Sequence, residues 1–149
     1  MLRNIWYFGI AARDLRAGRL VHREICGAPV VFGRTADGTA FALRDNCPHR
    51  GAPLSEGCMR GDDIECCYHG WTFGRDGRCT SIPALVADDP VDLSKITVPV
   101  FPVRERQGLI WIWIGDGDGA DAPFPDVPDV GAAAPQIVHE LVFPVNIDH

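Results

Sequence analysis

The chain has 149 residues, of which 46% are hydrophobic and 23% are charged, and its formal net charge is −6 at pH 7. This length is enough for one domain of ordinary size, and the composition excludes disordered and collagen-like chains. The acidic balance argues against a nucleic-acid partner, which would need a basic surface. No window approaches 18 consecutive apolar residues and the first residues lack a signal-peptide pattern, so we expect no membrane span and a cytoplasmic location.

Turn signals divide the chain into short apolar segments and predict an all-β fold. The sequence has 16 glycines and 12 prolines, and no segment keeps a helical period for three turns. Asp-Gly pairs at residues 37–38 and 76–77 tolerate the positive φ angles of tight hairpins, and Gln107-Gly108 is placed in the same way. The predicted hairpin arms are residues 29–34 with 40–43, residues 71–73 with the segment around Cys79, and residues 98–103 with 109–114.

The remaining segments differ in character along the chain. Residues 109–114 are apolar on both alternating faces, which predicts a central strand covered on both sides. Short helical turns are predicted at residues 12–15 and 92–95, and nothing longer. Residues 116–135 are almost wholly Asp, Gly, Ala and Pro, which predicts a solvated linker, and a strand-like pattern resumes at residues 136–143.

Two short segments carry the metal-binding chemistry. Cys47-Pro48-His49-Arg50-Gly51 and Cys66-Cys67-Tyr68-His69-Gly70 each combine a thiol with an imidazole at a predicted tight turn. Two such loops facing each other can hold one compact inorganic group, and two cysteines with two histidines match the ligands of a Rieske-type [2Fe-2S] cluster. A structural zinc site is the competing interpretation, although zinc sites usually place a close cysteine pair before a close histidine pair.

The sequence around these residues resembles a known family. C-P-H-R-G-A-P-L from Cys47 to Leu54 and C-C-Y-H-G-W-T-F from Cys66 to Phe73 resemble the Rieske domain of non-haem-iron ring-hydroxylating and demethylating oxygenases, especially the vanillate demethylase-like group. R-N-I-W-Y at residues 3–7 and G-L-I-W-I-W at residues 108–113 are similar to the same group. The resemblance implies a Rieske-type antiparallel β-sandwich with a small cluster-binding subdomain of two loops.

The resemblance assigns the [2Fe-2S] cluster to four ligands, Cys47, His49, Cys66 and His69. The family usually has proline where this chain has Cys67, and Cys67 would repeat the spacing that Cys47 has to His49. The adjacent cysteine is therefore an alternative ligand, although the family spacing favours Cys66. Cys67 is otherwise expected to be a packed or weakly exposed thiol. The same is expected of the three remaining cysteines, Cys26, Cys58 and Cys79.

The resemblance also indicates a branch of the Rieske proteins. Respiratory Rieske proteins carry one further cysteine in each cluster loop, joined as a disulfide, and those positions here are Ala52 and Tyr68. Without these cysteines the disulfide is impossible. The chain is therefore similar to the low-potential oxygenase branch.

The function implied is electron transfer. A reductase or ferredoxin would supply electrons, and the cluster would relay them to the mononuclear iron of an aromatic ring-hydroxylating or demethylating oxygenase, a mono- or dioxygenase. The D-x-x-H-x-x-x-x-H stretch that holds that Fe(II) in the family is missing here, so the second iron is expected only in a longer chain. The family suggests a homo-oligomer, a trimer, at full length. The alternative is a free-standing Rieske-type ferredoxin, which we would expect to end near Ile114.

The predicted organisation is a Rieske domain at residues 1–116, a linker at 117–135, and the start of a truncated or absent catalytic domain at 136–149. The remaining histidines, His22, His139 and His149, are predicted to be ordinary strand or surface residues. His69 is predicted to be the electron exit, because the matching histidine of the family faces a neighbouring subunit. Four arginines are candidates for a basic docking rim, and a scattered solvated surface is the interpretation that we prefer: Arg50, Arg60, Arg75 and Arg78.

Overall fold

A computed structural model describes residues 2–86 and 89–125 and shows a fold built from antiparallel strands. Short 3₁₀ turns cover Ala12–Asp14, Leu54–Glu56 and Leu93–Lys95, so the helical turns predicted near residues 12–15 and 92–95 are confirmed. The strands are β1 Ile5–Ala11, β2 Leu20–Ile25, β3 Ala28–Arg34, β4 Ala40–Arg44, β5 Cys58–Arg60, β6 Asp63–Glu65, β7 Thr72–Phe73, β8 Cys79–Ser81, β9 Val100–Phe101, β10 Val103–Arg106 and β11 Leu109–Ile114.

The strands form three sheets. The first has the order β1-β11-β10, the second β2-β3-β4-β9 and the third β5-β6-β7-β8, and every strand pair is antiparallel. The predicted all-β sandwich with a small cluster-binding subdomain is confirmed. Strand β11 is the central strand of its sheet, and all six of its residues are buried, as its two apolar faces predict.

The second sheet is the middle layer, and its alternating side chains explain why. Val30 and Phe32 of β3 pack into one core with Ile110 of the first sheet. Val31, between them, points to the opposite face and packs into a second core with Ile64 of the third sheet. Successive strand residues face opposite sides of a sheet, so one strand serves both cores. The third sheet therefore packs on one face of the second sheet, and the opposite face of the second sheet lines the interior of the sandwich.

The predicted strand at residues 98–103 is divided at Pro102. Val100–Phe101 pairs with β4 in the second sheet, whereas Val103–Arg106 pairs with β11 in the first. Proline has no N–H to donate, so it interrupts a ladder. The Pro102 carbonyl accepts a hydrogen bond from Trp113 N at 2.9 Å, which fixes the point where the chain changes sheets. The hairpins predicted at Asp37-Gly38 and Asp76-Gly77 are confirmed.

The start of the predicted linker packs against the first sheet. Gly119 O accepts a hydrogen bond from Trp6 Nε1 at 3.3 Å, and Ala120 O accepts one from Arg104 Nη2 at 2.9 Å. The Phe124 ring lies 5.5 Å from the Trp6 ring. Gly119, Ala120 and Phe124 thus contact the outer side of the sheet, while most residues of 116–125 are exposed. The predicted domain boundaries remain a prediction.

Residues 126–149 lie outside the described part of the chain. The predicted strand at 136–143 falls there, as do His139 and His149. None of the described segments forms a helix long and apolar enough to cross a membrane.

Replacing Gly77 by alanine should destabilise the hairpin between β7 and β8 in the third sheet. Gly77 has φ +76°, and an added Cβ would collide with the backbone carbonyl oxygen of Val98. Gly27→Ala is the matched control, because its φ is +71° but nothing lies within 4 Å of an added Cβ. In denaturant unfolding, Gly27→Ala should lower the free energy of unfolding by about 1–2 kcal/mol, from backbone strain alone. Gly77→Ala should lower it by about 1–3 kcal/mol more, from the collision, and equal losses would contradict this account.

Candidate metal centre

The first cluster loop, residues 47–52, follows β4 and is closed by two backbone hydrogen bonds. Cys47 N donates to Ala52 O at 2.8 Å, and Gly51 N donates to Cys47 O at 2.8 Å. Gly51 has φ +75°, a conformation that glycine adopts without the steric cost of a Cβ. This tight ring holds Cys47 at the base of the loop and His49 at its tip.

The second cluster loop, residues 66–71, connects β6 to β7 and repeats the same closure. Cys66 N donates to Trp71 O at 2.8 Å, and Gly70 N donates to Cys66 O at 3.0 Å. Gly70 has φ +69° and takes the position that Gly51 has in the first loop. The two backbone closures are therefore equivalent, with Cys66 matching Cys47, although His69 lies one position later in its loop than His49 does.

The two equivalent cysteines lie side by side in the core. Cys47 is 2% exposed and Cys66 is 3% exposed, whereas Cys67 is exposed. Burial raises the pKa of the Cys47 thiol to about 11, and the adjacent Cys66 thiol, hydrogen-bonded to it, adds to the rise. The backbone N–H groups of His49 and Arg50 point to the Cys47 sulfur and act in the opposite direction. A bound metal ionises such a thiol outright, and these N–H groups are then ready to stabilise the thiolate.

The two histidines form a second pair. The ring centroids of His49 and His69 are 4.7 Å apart, at an angle of 53°. Desolvation lowers the pKa of His49, and the neighbouring His69 and Arg50 lower it further. A lowered pKa favours the neutral imidazole, which is the form that binds metals.

Trp71 makes the two histidines unequal. Its ring stacks on His49 with centroids 4.5 Å apart and an angle of 5°. The position of Trp71 in the second loop corresponds to Ala52 in the first, so the first loop offers no matching ring to His69. His69 is exposed, and its nearest ring neighbour, Tyr68 at 4.0 Å, is itself 61% exposed.

The donor set fits a dinuclear cluster. Among residues 2–86 and 89–125, no three His, Cys, Asp or Glu side chains converge where a single metal ion would sit. The donors instead form a buried thiol pair and an imidazole pair, as a [2Fe-2S] cluster with two cysteines on one iron and two histidines on the other requires. A structural zinc ion would need all four donors around one atom.

The other residues singled out in the sequence have local roles. All six cysteines are free thiols, and both positions of the respiratory disulfide hold other residues, Ala52 and Tyr68. Three of the four rim arginines pair with acids: Arg60 with Glu65, Arg75 with Asp37 and Arg78 with Asp76. This pairing favours the solvated-surface interpretation over a basic docking rim.

Sequence reasoning missed two contributors to the site, Trp71 and Asp45. The stacking of Trp71 joins residues from different loops, and sequence spacing carries no signal for it. Asp45 is buried two residues before Cys47 and is bonded to His22, which lies on β2. Its sequence position carried no signal, because Asp45 lies between two polar residues, Arg44 and Asn46.

Comparison with known proteins shows the family to which this antiparallel sandwich belongs. A family model for the Rieske [2Fe-2S] domain matches residues 5–102. The 4beta-methylsterol monooxygenase of Methylococcus capsulatus is 35% identical over 136 residues, or 91% of this chain. The dicamba O-demethylase oxygenase component of Stenotrophomonas maltophilia is 39% identical over 130 residues, or 87% of this chain. The chain belongs to the Rieske [2Fe-2S] domain family.

Solved structures give the same result. The crystal structure of dicamba monooxygenase bound to dicamba matches with a TM-score of 0.76 and 38% identity over 85% of this chain. This chain spans 37% of the length of that structure's chain and 37% of each curated relative named above. The similarity therefore concerns the Rieske part of proteins that are oxygenases or oxygenase components. The expected cofactor, a [2Fe-2S] cluster, follows from the family.

Removing the Trp71 ring should loosen the hold on His49. Ring stacking of this kind contributes about 0.5–1.5 kcal/mol, so Trp71→Ala should speed the loss of the cluster about two- to tenfold. Trp71→Phe keeps a ring at the same place and should stay close to the parent. The measurement is the decay of the visible cluster absorbance in the presence of an iron chelator. Equal decay rates for the alanine and phenylalanine variants would show that the ring does not matter.

Proposed function

We propose that this chain transfers electrons through a Rieske [2Fe-2S] cluster, as the Rieske part of an aromatic ring-hydroxylating or demethylating oxygenase. The observation that carries the proposal is the pair of identically closed loops, each presenting one thiol and one imidazole. The cluster supplies one-electron redox chemistry. The residues of the chain would bind the cluster. Trp71 covers His49, whereas His69 is exposed.

The proposed ligands are Cys47, His49, Cys66 and His69. The equivalence of the two loops supports Cys66 over Cys67, because Cys66 takes the place of Cys47 in the hydrogen-bonded ring. Burial supports the same choice, since Cys66 lies in the core with Cys47 and Cys67 is exposed.

His69 is the proposed route for electrons leaving the cluster. A histidine that binds iron with one ring nitrogen can donate a hydrogen bond from the other, provided that this nitrogen reaches the surface. The exposure of His69 supports this role, and the Trp71 stack on His49 disfavours the same role for the other histidine. The acceptor would be the mononuclear iron of a catalytic domain, reached across a subunit boundary in a homo-oligomer, which the family suggests is a trimer.

The electron donor proposed is a reductase or a ferredoxin. A free-standing Rieske ferredoxin, acting as a carrier between separate partners, is the second candidate. The names of the relatives favour the first, since both proteins compared above are described as a monooxygenase or an oxygenase component. The mononuclear Fe(II), the substrate and the overall reaction belong to the longer protein that this proposal implies.

Cysteine substitutions test the ligand assignment. Cys47→Ser and Cys66→Ser should lose the cluster, because each removes a thiolate from the buried pair. Cys67→Ser is the matched control and should keep two irons and two acid-labile sulfides per chain. Iron and sulfide analysis, with electron paramagnetic resonance of the reduced protein, gives the result. Cluster loss in Cys67→Ser but not in Cys66→Ser would reverse the assignment, and stoichiometric zinc without iron would refute the function.

The reduction potential tests the branch of the family. The cluster should accept one electron from a reductase, with a midpoint near the negative end of the Rieske range of about −150 to +300 mV. The physical reason is that the loops lack the disulfide of the high-potential proteins. Redox titration followed by visible absorbance measures the midpoint. A value above about +150 mV, in the upper part of that range, would contradict the oxygenase assignment.

A further inference from the structure

A fully buried carboxylate lies at the start of the first cluster loop. The side chain of Asp45 is 0% exposed. Aspartate is almost never fully buried unless it has partners, since moving a charge out of water is costly. Asp45 is not among the proposed ligands, so its burial has another cause.

Asp45 is held by two elements besides its own loop. Ser55 donates twice, from its backbone N to Oδ1 at 2.8 Å and from its hydroxyl Oγ to Oδ2 at 2.6 Å. His22 Nδ1, on β2, lies 2.6 Å from Oδ2. The carboxylate thereby joins the residue before the loop, the 3₁₀ turn after it and the middle sheet.

Both oxygens of the Asp45 carboxylate have hydrogen-bond partners, which is the full set of acceptor atoms that this side chain offers. His22 is 53% exposed, so the network leads from the buried oxygen to solvent through an imidazole. The carboxylate itself has no exposed surface, so water does little to screen its charge.

The charge is close to the cluster ligands. Asp45 precedes Cys47 by two residues, so their Cα atoms are separated by no more than about 7.6 Å. A fixed negative charge at this range opposes the addition of an electron, and the effect is larger where the effective dielectric constant is low. Net charge and hydrogen bonding are the known determinants of iron–sulfur potentials.

We propose that Asp45, held by Ser55 and His22, is a positioning residue that sets a low reduction potential for the cluster. This inference rests on the proposed function, because it requires the [2Fe-2S] cluster to be bound by the first loop. Ser55 moderates the charge by donating a hydrogen bond to each carboxylate oxygen, and Ser55 and His22 together keep the carboxylate at a fixed place. A purely structural clamp, the competing role, would hold the loop without affecting the potential through its charge.

The test is the midpoint potential of cluster-loaded protein at one pH, with variants that alter the charge or its donors. Asp45→Asn removes the charge, and its amide can still accept from Ser55 N and donate to Ser55 Oγ. Ser55→Ala keeps the charge and removes one donor. Asp37→Asn is the control: Asp37 is exposed at the other end of β4, about 17 Å along the strand. Hydrogen bonds from Thr35 and Thr39 hold the pKa of Asp37 at about 2, so this control loses a full charge at neutral pH.

The midpoint potential should shift in opposite directions in Asp45→Asn and in Ser55→Ala. Asp45→Asn should raise the midpoint potential, Ser55→Ala should lower it, and Asp37→Asn should leave it unchanged. A structural clamp would instead loosen the loop in both variants and shift them in the same direction, which would overturn the inference. An unshifted Asp45→Asn would overturn it as well. If Asp45→Asn does not retain the cluster, the sign of the Ser55→Ala shift decides alone.

The same experiment distinguishes a failure of the proposed function from a failure of the proposed role of Asp45. A parent protein without an iron–sulfur spectrum would refute the proposed function. A normal parent spectrum, with midpoints that fail to follow the predicted signs, would refute only the role of Asp45.

Discussion

The closure of each cluster loop by two backbone hydrogen bonds is the constraint on which the site depends. In each ring a cysteine is both donor and acceptor, and a glycine at positive φ makes the return possible. The closure turns a thiol into the core and leaves an imidazole near the tip. Two rings of this kind place the four donors as two pairs, one of thiols and one of imidazoles.

The middle sheet gives these loops a rigid base. Its strand β3 contributes alternate side chains to the sandwich core and to the core beneath the cluster subdomain. A change in the packing of one core is therefore felt by the other through a single strand. The buried contact of Asp45 with His22 on β2 adds a polar tie between the same sheet and the first loop.

The site is symmetric in its backbone and asymmetric in its side chains. Trp71 and Ala52 hold equivalent positions, yet only Trp71 has a ring to place over a histidine of the opposite loop. One histidine is thereby shielded and the other exposed. This difference is the observation that supports His69 as the proposed exit for electrons.

The sequence by itself determined the all-β class, the hairpins at Asp37-Gly38 and Asp76-Gly77, the central strand β11 and the Rieske family. These features depend on local turn chemistry, period-two patterning and closely spaced ligands, and each of these signals involves only residues that are close together in the sequence. The sequence left Cys66 and Cys67 as competing ligands, and it treated the segment after Asp116 as a solvated linker. The tertiary structure buried Cys66 beside Cys47 and packed Phe124 over Trp6, contacts between residues distant in the chain. Contacts of this kind depend on which surfaces meet when the sheets pack, and no local pattern encodes that.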